Sequence, residues 1–323
     1  MSGLDQPDAS YAARVDALVG LLDGVRARGA FVLRLSLDPP WSMRIQDKAP
    51  LTLICQTHGS AVIVGADGET WLGPGDLALA RGVEPYMYAD DPKTSPQVVI
   101  HPGQRCTTLG GDDLRFELAV GVRTWGNTTS GSMRAVIGAY EGHSVVGARL
   151  LEALPALVVL RAGEWDTPLI DLLAAEAGRD GDGQEAFLDR LLDLLLIGAL
   201  REWFDRAGNA PPWWQAERDD LIGPALRLIY HNPAHPWTVA NLAAAVGSSR
   251  AVFARRFTEL VGEPPIAFLT GWRLALAADL LRSPDNTIAA VARQVGYSTP
   301  FALSSAFKRA YGVSPNSHRA AVG

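Results

Sequence analysis

The sequence has little cysteine and no long uninterrupted apolar run. Two cysteines in 323 residues exclude a disulfide framework and favour a reducing compartment, so we expect a cytoplasmic protein. The most apolar stretch, residues 187–204, is interrupted by Asp, Glu and Arg residues, which argues against a membrane span of about 18 apolar residues. The acidic, polar start MSGLDQPDAS differs from a signal peptide. We therefore expect no membrane association.

Charge is distributed unevenly along the chain. The formal net charge is −6, which taken alone argues against a nucleic-acid partner. However, residues 221–323 hold ten Lys and Arg and four Asp and Glu, a net charge of +6, so the first 220 residues carry −12. Such asymmetry is typical of a chain in which one module meets phosphates and the other does not. The length predicts two domains.

An internal repeat lies near the C-terminus. LAAAVGSSRAVFARRF (242–257) returns as VARQVGYSTPFALSSAF (291–307), with Gly247 matching Gly296. Each copy predicts a short helix, a glycine turn and a second helix, which is the pattern of a helix-turn-helix motif. Two copies predict a protein that reads two adjacent stretches of DNA groove. A helical repeat without a nucleic-acid role is the alternative, but stacked repeats need three or more copies.

Local signals in both copies support this interpretation. Thr238 and Thr287 are suited to N-cap the first helices, and Ser249 and Thr299 the second ones. Pro300 suits a first helical position. Apolar residues recur at helical spacing in the second helices and are expected to face the core: Val252, Phe253, Phe257 and Val261, then Leu303, Phe307 and Tyr311.

The outward positions of the two second helices are the candidates for DNA contact. Arg255 is expected to make a bidentate contact with guanine, and Arg256 to pair locally or touch phosphate. Phe301 is suited to a thymine methyl, while Lys308 and Arg309 are expected to anchor the phosphate backbone. The other predicted DNA-contact residues are Arg250, Ala251, Ala254, Pro300, Ser304 and Ser305.

Residues 219–320 resemble the DNA-binding domain of the AraC/XylS family of bacterial transcription regulators. The matching pieces are the two turns, the linker PPIAFLTGWRLALAADLL (264–281) and the ending AFKRAYGVSPNSHR (306–319). The resemblance implies two units, joined by a long helix, in successive major grooves of double-stranded promoter DNA, and RNA polymerase as a partner if the protein is an activator. Ser305 stands where relatives often carry Arg, so we expect the first unit to supply most sequence discrimination.

The first two thirds of the chain predict a helix followed by many short strands. Residues 10–28 have one apolar helical face. Many short strands at close spacing predict a small β-sandwich or barrel. The strand-like runs are 30–38, 50–58, 60–66, 70–73, 76–80, 85–89, 97–102 and 114–121.

This order resembles the cupin-like sensor domain of one branch of the same regulators, on the residues RGAFVLRLSLDPPWSMRI (28–45) and WLGPGDLALARGVEP (71–85). The predicted fold is therefore α+β with two domains: an N-terminal cupin-like β-barrel with flanking helices, and a C-terminal all-α domain with two helix-turn-helix motifs. We assign residues 1–204 to sensing and dimerisation, 205–216 to a linker and 217–323 to DNA binding.

The ligands of a cupin metal site are missing from the pattern. Catalytic cupins use a His-x-His pair, a Glu and a distant His, whereas His58, His101 and His143 lie far apart here. We therefore expect no metal, no cofactor and no enzyme activity, and instead a small organic effector. Candidate effector-binding residues are Trp41, Arg44, Trp71, Glu84, Tyr86 and Tyr88.

Two other functions stay open at this point. Some relatives with this sensor domain use cysteines to sense oxidants; Cys106 follows Arg105 in a predicted polar loop that would favour a thiolate, whereas the apolar pattern around Cys55 predicts a buried, inert thiol. A cupin-type metalloenzyme with a helical tail is the remaining alternative.

A broad apolar arc on residues 187–204 must be buried against something. Helices in this position commonly dimerise in the resembling family, so a homodimer is expected, with the intramolecular core as the alternative. The candidate dimerisation residues are Leu188, Leu191, Leu192 and Leu195.

Overall fold

The computed structural model describes residues 31–82, 84–140, 144–165, 168–206 and 208–322. These residues divide into two compact units, 31–211 and 212–322. The helix predicted over residues 10–28 lies outside the described residues. Of the helices in the described ranges, none combines the length and the apolar character that crossing a membrane requires.

The first unit consists of two β-sheets and three helices. The strands are β1 Phe31–Leu37, β2 Ser42–Ile45, β3 Leu51–His58, β4 Ala61–Gly65, β5 Gly68–Leu72, β6 Leu77–Ala80, β7 Tyr86–Ala89, β8 Val98–His101, β9 Arg105–Thr108, β10 Ala119–Gly121, β11 Thr124–Gly126, β12 Met133–Tyr140 and β13 Leu157–Leu160. A seven-stranded sheet has the order β10-β11-β1-β12-β3-β6-β13, and a six-stranded sheet has the order β5-β4-β7-β2-β8-β9. The helices are α1 Val145–Glu152, α2 Leu169–Ala177 and α3 Gln184–Asp205.

The strands form two open sheets rather than one closed barrel. The chain changes sheet at tight corners, as between β3 and β4, where Gly59 has φ +66° and a Cβ there would collide with the backbone of Ser132. Only glycine meets both demands. Apolar side chains from both sheets share one core, including Leu35, Ile54 and Tyr88, so the sheets stack as a sandwich.

Five strands of this unit are missing from the predicted runs: β2, β9, β11, β12 and β13. β12 is central, because it pairs with β1 on one side and β3 on the other. It is buried on both faces and thus lacks the polar alternation that marks a half-buried strand. Conversely, only Ala119–Gly121 of the predicted run 114–121 is a strand.

The four leucines assigned to a dimer interface lie instead in the core of a single chain: Leu188, Leu191, Leu192 and Leu195 are all buried. The reason is that α3 packs against α2 and, at Leu192, against β12. The Tyr140 hydroxyl donates to the Leu192 carbonyl oxygen at 3.0 Å, and a Cβ at Gly138 would lie 2.5 Å from Leu192 Cδ2. The intramolecular alternative is therefore correct for these residues.

The second unit is all helical. Its helices are α4 Pro212–Arg218, α5 Ile222–His231, α6 Val239–Ala245, α7 Arg250–Val261, α8 Pro265–Leu280, α9 Ile288–Gln294, α10 Pro300–Tyr311 and α11 Pro315–Val322. α4 packs against α5 and α7 and buries Trp214 and Ala216. Residues 212–216 of the predicted linker thus belong to this unit, because their apolar side chains join its core.

Candidate nucleic-acid interface and inter-sheet cavity

The first helix-turn-helix unit consists of α6 and α7. Thr238 and Asn241 form a reciprocal capping box, in which each side chain accepts from the other's backbone N–H, and the Ser249 hydroxyl accepts from Val252 N–H. Gly247 has φ +69° in the turn between them. These are the predicted caps and turn. Val252, however, is 47% exposed, so its predicted core position is wrong.

The exposed face of α7 carries most of the predicted DNA contacts of this unit. Arg250, Ala251 and Arg255 are exposed, and Ala254 is half-buried. Arg255 Nε lies 4.0 Å from Glu259 Oε1 one turn later. A solvent-exposed pair at this distance is weak, so the guanidinium is available to an incoming base or phosphate.

Arg256 forms a local ion pair, which is one of the two roles predicted for it. Its Nε and Nη2 donate to Asp219 Oδ2 at 3.2 and 2.7 Å, while Asp219 Oδ1 accepts from the N–H groups of Leu221 and Ile222. Burial alone would raise the pKa of Asp219, but the bonds from Arg256 and these backbone groups hold that pKa below its ordinary value. The predicted local pairing is thus confirmed, and Arg256 fixes α7 to the segment that precedes α5.

The second unit repeats this framework in α9 and α10. Thr287 and Thr299 cap the two helices, and Pro300 occupies the first position of α10. Gly296 has φ +84°, and a Cβ there would lie 2.8 Å from Ala234 Cα and 2.9 Å from Arg273 Nη2. Arg273 itself donates to the carbonyl oxygens of Pro233 and His235 at 2.7 and 2.8 Å. The turn of this unit is thus packed against the segment before α6.

The outward face of α10 is largely as predicted. Pro300, Ser305, Lys308 and Arg309 are exposed, Ser304 is half-buried, and Phe301 is 80% exposed. An aromatic ring this exposed has no packing role in the unit. Tyr311, predicted to face the core, is exposed instead, although its ring lies 4.6 Å from that of Phe307 between centroids.

One basic residue beside the second turn was not among the predicted contacts. Arg293 is exposed in the last turn of α9. In the sequence, Arg293 is recognisable as the single charged residue of the first helix of this unit, IAAVARQ. Its position gives the second unit a third exposed cation.

α8 lies between the two helix-turn-helix units in the sequence and joins them. Its sixteen residues span about 24 Å at 1.5 Å per residue. The buried residues Phe268, Leu269 and Trp272 anchor it in the core.

A cavity of about 60 Å³, the inter-sheet cavity, lies between the two sheets of the N-terminal unit, residues 31–211. Tyr86 and Tyr88 line it and Trp41 packs edge-on against Tyr88 at 5.2 Å. Trp41 itself faces a neighbouring pocket. Arg44, Trp71 and Glu84, the other predicted effector residues, are exposed. Arg44 points away because Met43 and Ile45 on either side of it line the cavity.

Three polar residues in the cavity wall, Asp47, Thr52 and Gln104, were absent from the predicted set. Asp47 is 8% exposed; its Oδ1 accepts from Ala49 N–H and its Oδ2 from Gln104 Nε2, both at 3.1 Å. Gln104 has φ +55°. Asp47 follows β2 and Gln104 directly precedes β9. The two residues are far apart in the sequence and come together only because β2 pairs with β8, so the sequence alone did not predict their contact.

Both thiols are poorly suited to oxidant sensing. Burial raises the pKa of Cys55 to about 12, as its apolar strand pattern suggests. Cys106 lies in β9, not in a polar loop, and is 9% exposed; it pairs with Ile100 and faces the cavity. Burial raises the pKa of Cys106 to about 11, despite the nearby Arg115. A sensor thiol needs a low pKa and exposure.

The histidines are dispersed in the structure. His58 is exposed, and His101 Nε2 lies 2.9 Å from Thr107 Oγ1. His143 lies outside the described residues. No group of three or more His, Cys, Asp or Glu residues suited to a metal ion occurs within the described ranges.

Comparison with known proteins agrees with this division. The family model described as Cupin matches residues 16–205, and that described as Helix-turn-helix domain matches residues 242–321. An AraC-like transcription regulator of Streptomyces antibioticus is 37% identical over 178 residues, which cover 53% of this chain and 58% of the relative. The HTH-type transcriptional regulator AlkR of Acinetobacter baylyi is 28% identical over 94% of this chain and 99% of its own length.

Among solved structures, the DNA-binding domain of AdpA in complex with a target DNA is 33% identical, covering 32% of this chain and 93% of that domain with a TM-score of 0.31. The Cupin match spans more than half of the chain, and the relatives named above are transcription regulators. The chain therefore belongs to the cupin family and is an AraC-like, DNA-binding transcription regulator in which a cupin domain precedes two helix-turn-helix motifs.

Proposed function

We propose that the protein recognises a promoter through unequal use of its two helix-turn-helix units. Arg255 reads a guanine in one major groove, with Arg250 at the start of the same helix. Lys308, Arg309 and Arg293 hold the phosphates around the next groove. The proposal rests on one observation: α7 and α10 occupy equivalent positions in the two helix-turn-helix units but present different side chains. The outward face of α7 carries arginines, whereas that of α10 carries Phe301 and two serines.

An electrophoretic mobility shift of the full chain with the DNA upstream of its own gene tests this proposal. Contact with about six phosphates gives a slope near −5 for log affinity against log salt. A flat salt profile, or equal binding to unrelated duplexes, would contradict sequence-specific recognition. Because its target is chromosomal DNA, we place the protein in the cytoplasm, with RNA polymerase as a further partner if it activates transcription.

The cupin unit, in this proposal, binds a small organic effector and performs no catalysis. The inter-sheet cavity supports it, since apolar and aromatic side chains surround a few polar groups. Effector binding alters DNA affinity. By linkage, a tenfold change in DNA affinity requires about 1.4 kcal/mol of difference in effector affinity between the DNA-bound and free protein. DNA titrations with and without each hit from a thermal-shift screen measure that coupling.

We also propose that the region before residue 205 forms a homodimer, through the outer side of α3 rather than its buried leucines. Phe187 and Leu194 are 47% and 49% exposed and lie seven residues apart, on one face of the helix. Light scattering of the full chain is the check. The Phe187→Glu, Leu194→Glu double variant is expected to be monomeric, whereas Glu185→Gln, on the same helix, leaves the dimer intact; a wild-type monomer at tens of micromolar would refute the dimer.

A further inference from the structure

The inter-sheet cavity contains one buried carboxylate and no positive side chain, and this indicates the charge of its occupant. All fifteen residues that line the cavity are in the described part of the chain, and Asp47 is the only Asp, Glu, Lys or Arg among them. We propose that this cavity binds the protonated amine of a small organic cation, whose ammonium group pairs with Asp47. The inference rests on the effector-dependent function proposed above and names the chemical class of that effector.

The hydrogen bonds of Asp47 leave its charge unbalanced. Oδ1 accepts from the Ala49 backbone and Oδ2 from the Gln104 amide, and both donors are neutral. A buried charge without an opposite charge is costly, and an ammonium group supplies that charge together with stronger, charge-assisted hydrogen bonds. A carboxylate group would meet repulsion from Asp47, so the inner cavity discriminates against anionic groups.

Aromatic rings complete a site for an amine on an apolar body. Phe31, Tyr86, Tyr88 and Trp125 line the cavity, and rings of this kind attract an ammonium group through their π faces. The Tyr88 hydroxyl already donates to Gln56 Oε1 at 2.7 Å, so this ring offers its face and edge rather than a free polar group.

An entrance adjoins the cavity. A cleft of about 700 Å³ shares Phe31, Leu33, Gln104, Cys106 and Trp125 with it. Charges of both signs line the rest of the cleft: Arg115, Arg123, Glu185 and Asp189. The inner space of about 60 Å³ has room for an ammonium head group, whereas the cleft has the size of a usual ligand pocket. Gln104 stands at the junction of the two spaces. We infer that the entering ammonium displaces the Gln104 amide from Asp47 while the apolar body stays in the cleft.

Isothermal titration of the full chain with benzylamine, benzyl alcohol and benzoate tests the class, because the three probes share a ring and differ in charge. Benzylamine is expected to bind roughly tenfold or more tightly than either of the others, and to lose affinity as the pH rises above its own pKa. Asp47→Asn is expected to abolish the preference. Glu69→Gln, which removes an exposed carboxylate of β5, serves as the matched control and retains it.

Gln104→Gly provides an independent arm, since glycine suits the positive φ at this position. It removes the competing amide and is expected to raise benzylamine affinity several-fold. Equal or tighter binding of benzoate or benzyl alcohol would overturn the cationic class. Absence of benzylamine binding to both wild type and Gln104→Gly would overturn the site. If benzylamine binds through Asp47 but leaves DNA affinity unchanged, the amine site stands and the proposed effector-dependent regulation fails.

Discussion

The first helix-turn-helix unit presents arginines on its second helix, whereas the second unit presents Phe301, two serines and then Lys308 and Arg309. Beneath these surfaces the two units share the same caps, the same glycine turns and an equivalent buried phenylalanine, Phe257 or Phe307. A helix-turn-helix framework is therefore maintained by a few capping and core positions, and its outward positions are free to diverge. Under the proposed function, specific and general DNA contact are therefore separated within one chain.

The two turns also differ in how tightly they are packed. A Cβ at Gly247 would meet nothing within 4 Å, whereas one at Gly296 would press on Ala234 and Arg273. The second turn is thus fixed from outside by the segment before α6, while the first depends on its own caps and on the Arg256–Asp219 pair. This contrast predicts different responses to the same substitution.

Alanine at each turn glycine is expected to have the largest effect and to separate the two units. Gly296→Ala adds a steric clash to the strain of a left-handed backbone, which together cost about 2–4 kcal/mol. Gly247→Ala adds the strain alone, about 1 kcal/mol. Amide hydrogen exchange of the full chain measures both locally. Equal loss of protection in the two units would show that the contact with Ala234 does not stabilise the second turn.

Arginine removal tests the division between base reading and backbone anchoring. Arg255→Ala is expected to cost about 1–3 kcal/mol of DNA binding at the specific site and to relax preference at one base position. Lys308→Ala is expected to weaken binding to all sequences alike. Competition titrations with a matched and a mutated operator distinguish these results. If Arg255→Ala weakens both duplexes equally, Arg255 is a phosphate contact.

Phe301→Ala probes the apolar part of the second surface. Because the ring is 80% exposed, its removal should leave the unfolding temperature unchanged. Loss of one apolar contact with a thymine methyl should weaken specific binding by about 1 kcal/mol, with Phe301→Leu retaining part of it. A drop in stability of the unbound protein would instead assign the ring to folding.

Acid should affect the first unit through Asp219. Its pKa is lowered in the folded state, so the stabilisation by its ion pair is present above the unfolded-state pKa, near 3.8, and is lost as pH falls through the lower folded-state value. Hydrogen exchange of α7 should therefore accelerate below about pH 4. Asp219→Asn should remove this pH dependence. If hydrogen exchange of α7 still accelerates below about pH 4 in this variant, other carboxylates cause the pH dependence.

Local signals determined the C-terminal unit. The caps at Thr238, Ser249, Thr287 and Thr299 and the turn glycines act over three or four residues, so their hydrogen bonds follow from the sequence alone. The predicted outward residues follow from helical periodicity for the same reason. Helical periodicity wrongly predicted that Val252 is buried. Periodicity indicates which face of a helix is apolar, but not how far the neighbouring helices extend over the edge of that face.

The N-terminal unit depended on tertiary structure instead. β12 became a central strand because β1, β3 and α3 surround it, and none of these partners is near in sequence. Leu188 and Leu192 were predicted to face a second copy, yet both are buried within the chain, and Leu192 lies against β12. Arg256 pairs with a residue 37 positions earlier, and Asp47 with one 57 positions later. Contacts within one helical turn are set by the local sequence, whereas pairings across a sandwich exist only when distant strands and helices have packed.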